Sequence, residues 1–249
     1  MSRPLIVAHR GASHDAPENT LAAFRLAWDQ GADAIETDLR LTSDGHVVAM
    51  HDADGRRTLR THNPLRSMTL DTLREHDAGS WKSSQWAGQL VPTLAEVLAT
   101  IPQKGRAVLE LKEGRELVDR VAAELSTSDF DLSHITIIAF DAETIATVKR
   151  KLPDCKALWL FEDYSSLPKG GGEWLNERVE SLGVDGLDLG FTHNVQPALL
   201  AALHAAGRTL YCYTINSPSE FRRAVELGFH GITTDRPGEA RKWLDALSA

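Results

Sequence analysis

The sequence predicts an α/β fold, a (β/α)8 barrel of the TIM type, with a small cap inserted after the hairpin that follows the second strand. Three observations carry this expectation. Short β-like runs alternate with longer amphipathic ones along the chain, and eight of each fit within 249 residues, as such a barrel requires. The rival, a doubly wound open sheet, usually shows G-x-G-x-x-G after a strand, and no strand here is followed by one. Residues 53–92, rich in Arg, Asp, Ser and Trp, interrupt the rhythm. About 40 residues bury little core of their own, so they read as a cap on a single domain spanning 1–249.

Taken in order, the strand-like runs are LIVAHR (5–10), AIETDLRL (34–41), AVLELK (107–112), ITIIAF (135–140), KALWLF (156–161), DGLDLG (185–190), TLYCYTI (209–215) and GITTD (231–235). Between and after them lie ENTLAAFRLAWDQG, TLAEVLATI, ELVDRVAAEL, AETIATVKRKL, EWLNERVESLG, QPALLAALHAAG, PSEFRRAVELG and GEARKWLDAL. Apolar residues recur in these at spacings of three and four, the helical period. Gly31, Gly183, Gly207 and Gly228 stand where helix C-caps belong. The GGG run at 170–172 reads as a flexible loop, with a phosphate cradle as a second reading.

Composition narrows the function. At 42% hydrophobic and 25% charged residues, the chain is expected to be an ordinary globular protein. A formal net charge of −8 argues against a nucleic-acid partner, which normally meets a basic face. Any anionic substrate must then be met by local positive charge or by a metal. Cys155 and Cys212 have neither disulfide-framework nor metal-ligand spacing and suit apolar filling in a reducing compartment. Residues 1–12 are too short and polar for a signal peptide, and no apolar run approaches 18 residues. A cytoplasmic location without stable membrane association is therefore expected. A homodimer is left open.

The densest chemistry lies in IETDLRLTSDGHVVAMHD, residues 35–52. In a strand, residues i and i+2 face the same side, so Glu36 and Asp38 point together. A two-residue Asp44-Gly45 turn pairs Ser43 with His46 and, in the same register, Asp38 with His51. His9 ends the first strand in VAHRG, and Glu110 and Lys112, again i and i+2, end the third in LELK. Active sites of this fold form at the C-terminal ends of the strands. Three acids, two histidines and a lysine gathered there need a cation or a reacting anion, since paired buried carboxylates repel. Oxygen ligands favour Mg²⁺ or Ca²⁺. His9 and His51 suit zinc as well, but then no general acid or base remains; free imidazoles are preferred as proton carriers at neutral pH. A metal, a fixed cation and two imidazoles together suit phosphoester cleavage.

With these residues in view, the chain resembles the glycerophosphodiester phosphodiesterase family over nearly its whole length. The motifs are AHRG (8–11), APENTLAAF (16–24), IETDLRLTSDGHVVAMHD (35–52), PTLAEVL (92–98), LELK (109–112), YTIN (213–216) and TTDRP (233–237). Each is weak alone; in this order they are specific. The resemblance implies a (β/α)8 barrel with a small insertion after the HD motif. It implies a divalent metal on Glu36, Asp38 and Glu110, His9 and His51 as acid and base, and phosphate or glycerol contacts from Arg10 and Lys112. It further implies hydrolysis of a small glycerophosphodiester to glycerol 3-phosphate and an alcohol such as choline, ethanolamine or glycerol. Gly55 where the family has Leu, Ala139 in place of Ser, and Tyr213 in place of Trp depart from its pattern around the substrate.

Other positions carry two readings. Phe140 and Tyr213 at strand ends line the glycerol site or fill core. Trp81 and Trp86 wall the pocket or pack the cap. Asn19 and Thr20 read as helix-start and loop-fixing residues, and Asp235 as a cap of the last helix or a holder of an active-site loop. The remaining histidines, 14, 46, 62, 76, 134, 193, 204 and 230, lack motif context and are expected at the surface or in structural roles. Two other functions stay open: a phospholipase D-like or sphingomyelinase D-like lyase acting on lysolipids, and a catalytically silent barrel binding a carbohydrate or phosphate.

Overall fold

The computed structural model describes residues 3–248. The chain begins with β1 (Leu5–Ala8), α1 (Leu21–Asp29), β2 (Ala34–Leu41) and β3 (Val47–Ala49), followed by the one-turn helix α2 (Leu70–Leu73) and α3 (Leu94–Leu98). Regular alternation then resumes with β4 (Arg106–Leu111), α4 (Arg115–Thr127), β5 (Ile135–Ala139), α5 (Ala142–Lys151), β6 (Lys156–Phe161) and α6 (Gly171–Leu182). It ends with β7 (Gly186–Gly190), α7 (Pro197–Ala205), β8 (Thr209–Tyr213), α8 (Pro218–Glu226), β9 (Gly231–Thr234) and α9 (Pro237–Ser248). Eight strands are parallel and closed in the order β1-β2-β4-β5-β6-β7-β8-β9, with β9 returning to β1. This is the (β/α)8 barrel, and β3 hangs antiparallel from β2.

The strand period explains the layering. Val7, Ala34, Val108, Ile138, Leu158, Leu160 and Tyr211, drawn from six strands, form one buried cluster, and residues of strands that are not neighbours meet only inside the barrel. The alternate residues, such as Ile6, Leu39, Leu109, Ile137 and Leu187, pack outward against α4 to α9 in the largest cluster. Glu36 and Asp38 share the parity of Ala34, and Glu110 that of Val108, so all three face the lumen.

Helix starts follow capping chemistry. Thr20, Asp141 and Ser217 each accept from the third residue onward, and Thr93 forms a reciprocal capping box with Glu96. Gly31, Gly183, Gly207 and Gly228 all have positive φ, as expected at helix ends. The first helix begins at Leu21 rather than Glu18, because Glu18 and Asn19 turn toward the barrel mouth.

Two expectations are corrected. The β2–β3 loop has three residues, not two. Thr42 N donates to His46 O, Gly45 takes φ +83°, and Thr42 Oγ1 donates to Asp44 Oδ1 while accepting from His46 N. The register therefore slips by one: Leu39 pairs with Ala49, Met50 N donates to Asp38 O, and His51 falls beyond the ladder. The GGG run is not a free loop either. Gly170 caps α6, Gly171 and Gly172 begin it, and a Cβ on buried Gly172 would lie 2.3 Å from Leu199 O of α7. These glycines let two helices approach.

Between β3 and α3, Leu59, Leu65, Met68, Leu73, Ala78 and Val91 form a small apolar cluster with Val48 and Met50 of the hairpin. The chain from His51 to Pro92 thus folds against one side of the barrel mouth rather than within its wall.

Candidate active site

The strands end just short of the motif residues. His9 and Arg10 follow β1, Lys112 follows β4, Phe140 follows β5 and Asp235 follows β9, while Tyr213 closes β8. The C-terminal mouth of the barrel thus collects every site residue expected from the sequence. In the lumen, Glu36, Asp38 and Glu110 are buried, and each offers a carboxylate oxygen within 4.8 Å of the other two. Lys112 Nζ lies 2.5 Å from Glu110 Oε1 and 3.0 Å from Asp38 Oδ1. Arg10 Nε lies 3.2 Å from Asp38 Oδ2. The Arg10 backbone is left-handed (φ 55°) and donates its N–H to Glu36 Oε2 at 2.9 Å, the kind of strained position that functional sites retain.

Electrostatics separates the three acids. Burial, then the charges of Asp38 and Glu110, pushes Glu36 well above the usual carboxylate range. Burial also raises Glu110, and Asp38 adds to it while Lys112 opposes. Burial acts on Asp38 too, but Lys112 and Arg10 outweigh it and hold the carboxyl at about 2. Buried Glu36 Oε1 has no partner among the described residues, and Asp38 Oδ1 has only the Lys112 ammonium. An orphaned buried carboxylate oxygen beside two further acids is costly, and a divalent cation is the kind of group that would satisfy it. Oxygen donors at these separations suit a hard ion, whose ligands stand about 2.0–2.6 Å from it.

The two motif histidines are each half of a pair. His9 Nδ1 meets Asp235 Oδ1 at 2.7 Å, and Asp235 also accepts from Ser13 Oγ and Asn216 Nδ2. His51 Nδ1 meets Asp52 Oδ1 at 2.7 Å, and Asp52 Oδ2 accepts from Arg57 Nε. A carboxylate on Nδ1 fixes the ring and leaves Nε2 free to exchange a proton with a ligand. His51 sits on the loop after β3, its carbonyl held by Arg40 Nε at 2.8 Å. Although it is not paired with Asp38, its charge still reaches that carboxylate. Burial lowers the His51 pKa, against the pull of Asp38 and Asp52.

Several supporting residues were read from the sequence only in part or not at all. Asn19 is buried, with φ 55°, and is no helix start; its Nδ2 donates to Asp38 Oδ2 at 2.7 Å while its Oδ1 accepts from Thr37 Oγ1. Thr20 is the true N-cap. Glu18 accepts from both Arg10 and Arg57, joining the first loop to the segment after His51. Asp235 holds His9, the second of its two readings. Asp188, buried in the lumen with Oδ1 unpartnered, is pushed well above the carboxylate range by burial and then by Glu110. An acid between apolar residues in DGLDLG was its one signal. Phe140 is 45% exposed and meets Tyr213 edge-on at 6.4 Å, so it fills no core. Cys155 and Cys212 are buried free thiols.

Buried carboxylates under a ring of cations, with two carboxylate-held imidazoles beside them, make this a (β/α)8-barrel enzyme suited to phosphate esters. The profile of the Glycerophosphoryl diester phosphodiesterase family matches residues 9–239. The chain belongs to that family, and its activity is the hydrolysis of glycerophosphodiesters. A glycerophosphodiester phosphodiesterase of Caldanaerobacter subterraneus subsp. tengcongensis is 32% identical over 240 residues, 94% of this chain and 95% of that one. One from Bacillus subtilis is 29% identical over 255 residues, 94% of this chain and 84% of the relative. Among solved structures, an Oleispira antarctica phosphodiesterase in complex with the product sn-glycerol-3-phosphate superposes with TM-score 0.87 at 28% identity, covering 97% of both chains. A Silicibacter pomeroyi relative gives 0.87 at 26%, covering 99% of this chain and 95% of that one.

Proposed function

We propose that this enzyme is metal-dependent and cleaves small glycerophosphodiesters to glycerol 3-phosphate and an alcohol, with His9 and His51 as general acid and base. The observation that carries the reading is the buried trio Glu36, Asp38 and Glu110, with Glu36 Oε1 lacking any partner among the described residues. These three would hold Mg²⁺ or Ca²⁺. When bound, the ion neutralises the acids and supplies positive charge for the phosphoryl oxygens. Arg10 and Lys112, already beside Asp38, add fixed positive charge at the same place. One imidazole takes a proton from the attacking oxygen through Nε2, and the other returns one to the departing alkoxide. Asp235 and Asp52 position the rings and support their charged forms. Phe140 and Tyr213 give the glycerol moiety an apolar wall, and the solved relative bound to glycerol 3-phosphate supports a substrate of that size. The reading includes one barrel domain capped by residues 53–92. The two free thiols support a reducing, cytoplasmic setting.

The test is a metal titration of activity. Glu36→Gln, Asp38→Asn and Glu110→Gln should each raise the metal concentration needed for half-maximal rate, and the fold should persist by circular dichroism. An unchanged metal requirement in all three variants would refute a metal site made of these residues.

A further inference from the structure

Beside His9 lies a hollow of about 440 Å³ whose walls include Trp81, Lys82, Asn216 and Arg236. It opens between the ends of β1 and β9 and the segment that follows the β3 hairpin. Phe140 and Tyr213 come from β5 and β8 and meet over β6 and β7, which lie across the barrel from β1 and β2. The mouth therefore has two distinct sides, an aromatic one and this polar one, with His9 lining the second.

We propose that this hollow receives the alcohol end of the substrate, and that Lys82 makes it prefer an alcohol bearing an anionic group, a carboxylate or phosphate, over one bearing a quaternary ammonium. The inference rests on the diesterase reading above and assigns the substrate class to one side chain. Its basis is the balance of charge. The acids of the hollow are matched: Glu18 lies between Arg10 and Arg57, and Asp235 accepts from His9, Ser13 and Asn216. Arg236 is paired with Glu239. Lys82 is different. Its Nζ donates to the neutral carbonyl of Ser13, and among the described residues no carboxylate stands within ion-pair distance of it; exposed Asp15, outside the hollow's lining, feels its charge only from farther off. A half-buried ammonium beside an open hollow attracts an anion more strongly than a fully solvated one. Trp81 by itself would suit a quaternary ammonium, since such cations bind over indole faces. That ring already has Lys82 Nζ above it, 5.8 Å from the centroid, so a second cation there meets repulsion.

The experiment compares kcat/KM for three glycerophosphodiesters, those of 3-hydroxypropanoate, glycerol and choline, at low ionic strength. Wild type is expected to favour the hydroxy-acid ester over the choline ester by about tenfold, the scale of one charge-assisted contact. Lys82→Met should bring that ratio near one, Lys82→Glu should invert it, and Lys82→Arg should keep it. A ratio unaltered in both Lys82→Met and Lys82→Glu overturns the inference. So does a Lys82→Met variant that loses rate on all three esters equally, because Lys82 then merely braces the loop at Ser13. Wild type without turnover on any of the three overturns the diesterase reading itself, a separate result.

Discussion

His9 and Asp235 lie 226 residues apart in sequence and 2.7 Å apart in space. Burial raises the Asp235 carboxyl, but its hydrogen bonds from His9, Asn216 and Ser13 outweigh that and hold it at about 2, against an ordinary 3.8. A carboxyl depressed on folding contributes stability that is full above its unfolded pKa and is lost as pH falls through the folded one. The stability difference between wild type and Asp235→Asn should therefore shrink between about pH 4 and pH 2, read from thermal midpoints across pH. A difference that stays flat over this window would mean the Asp235 carboxyl is not depressed as described. For catalysis, His9→Ala and His51→Ala should each lower kcat by ~10²–10⁴-fold, the usual worth of a positioned acid or base. The double variant should lose far less than the product of the two, because the groups act on one proton path. Metal affinity, followed by calorimetry, should persist in both single variants; its loss in either would make that histidine a ligand.

At the scale of elements, close approach decides more than propensity. Gly172 begins α6 where α7 presses against it, and a Cβ there would sit 2.3 Å from Leu199 O. Backbone yields less readily than a flexible side chain, so Gly172→Ala should cost about 1–3 kcal/mol, the usual penalty of overpacking. Urea unfolding measures this, and kcat should hardly change, since α6 and α7 contribute no residue to the mouth. The β2–β3 hairpin teaches the same lesson differently. One more residue in the loop moves His51 out of direct pairing with Asp38, yet Arg40 holds its carbonyl and its charge still reaches Asp38.

For the whole molecule, the barrel sets eight strand ends around one mouth, and the segment of residues 51–92 packs on the β2–β3 hairpin. Arg57 ties that segment to Glu18 of the first loop and holds Asp52, the partner of His51. Among the described residues no helix is long and apolar enough to cross a membrane. The hollow beside His9 is walled by Lys82, Asn216 and Arg236 rather than by aliphatic side chains. A water-borne diester should accordingly be turned over at least about tenfold faster than a lysophospholipid in vesicles, given the cost of bringing acyl chains against polar groups. Equal initial rates on glycerophosphocholine and on lysophosphatidylcholine vesicles would contradict this.

Strand–helix periodicity, with no dinucleotide-binding glycine pattern after any strand, pointed to the barrel. The family resemblance joined the three acids, while alternation of strand and helix patterns carried eight units and side-chain parity put Glu36 with Asp38 and Glu110 with Lys112. Those are local properties, set by a repeat of two or of 3.6 residues. His9 and His51 were legible for a related reason: His9 follows a barrel strand, and His51 follows the hairpin strand that runs back along β2. Only the tertiary structure decided which groups support them. Asp235 reaches His9 across the closing β1–β9 seam, Asn19 reaches Asp38 from a left-handed turn, and Gly172 separates two helix backbones. Lys82 stands at the mouth because a small apolar cluster folds its segment back on the hairpin. None of these contacts has a period, because each depends on where the chain returns after a loop. A single residue in such a loop, as between Thr42 and His46, is enough to change the pairing.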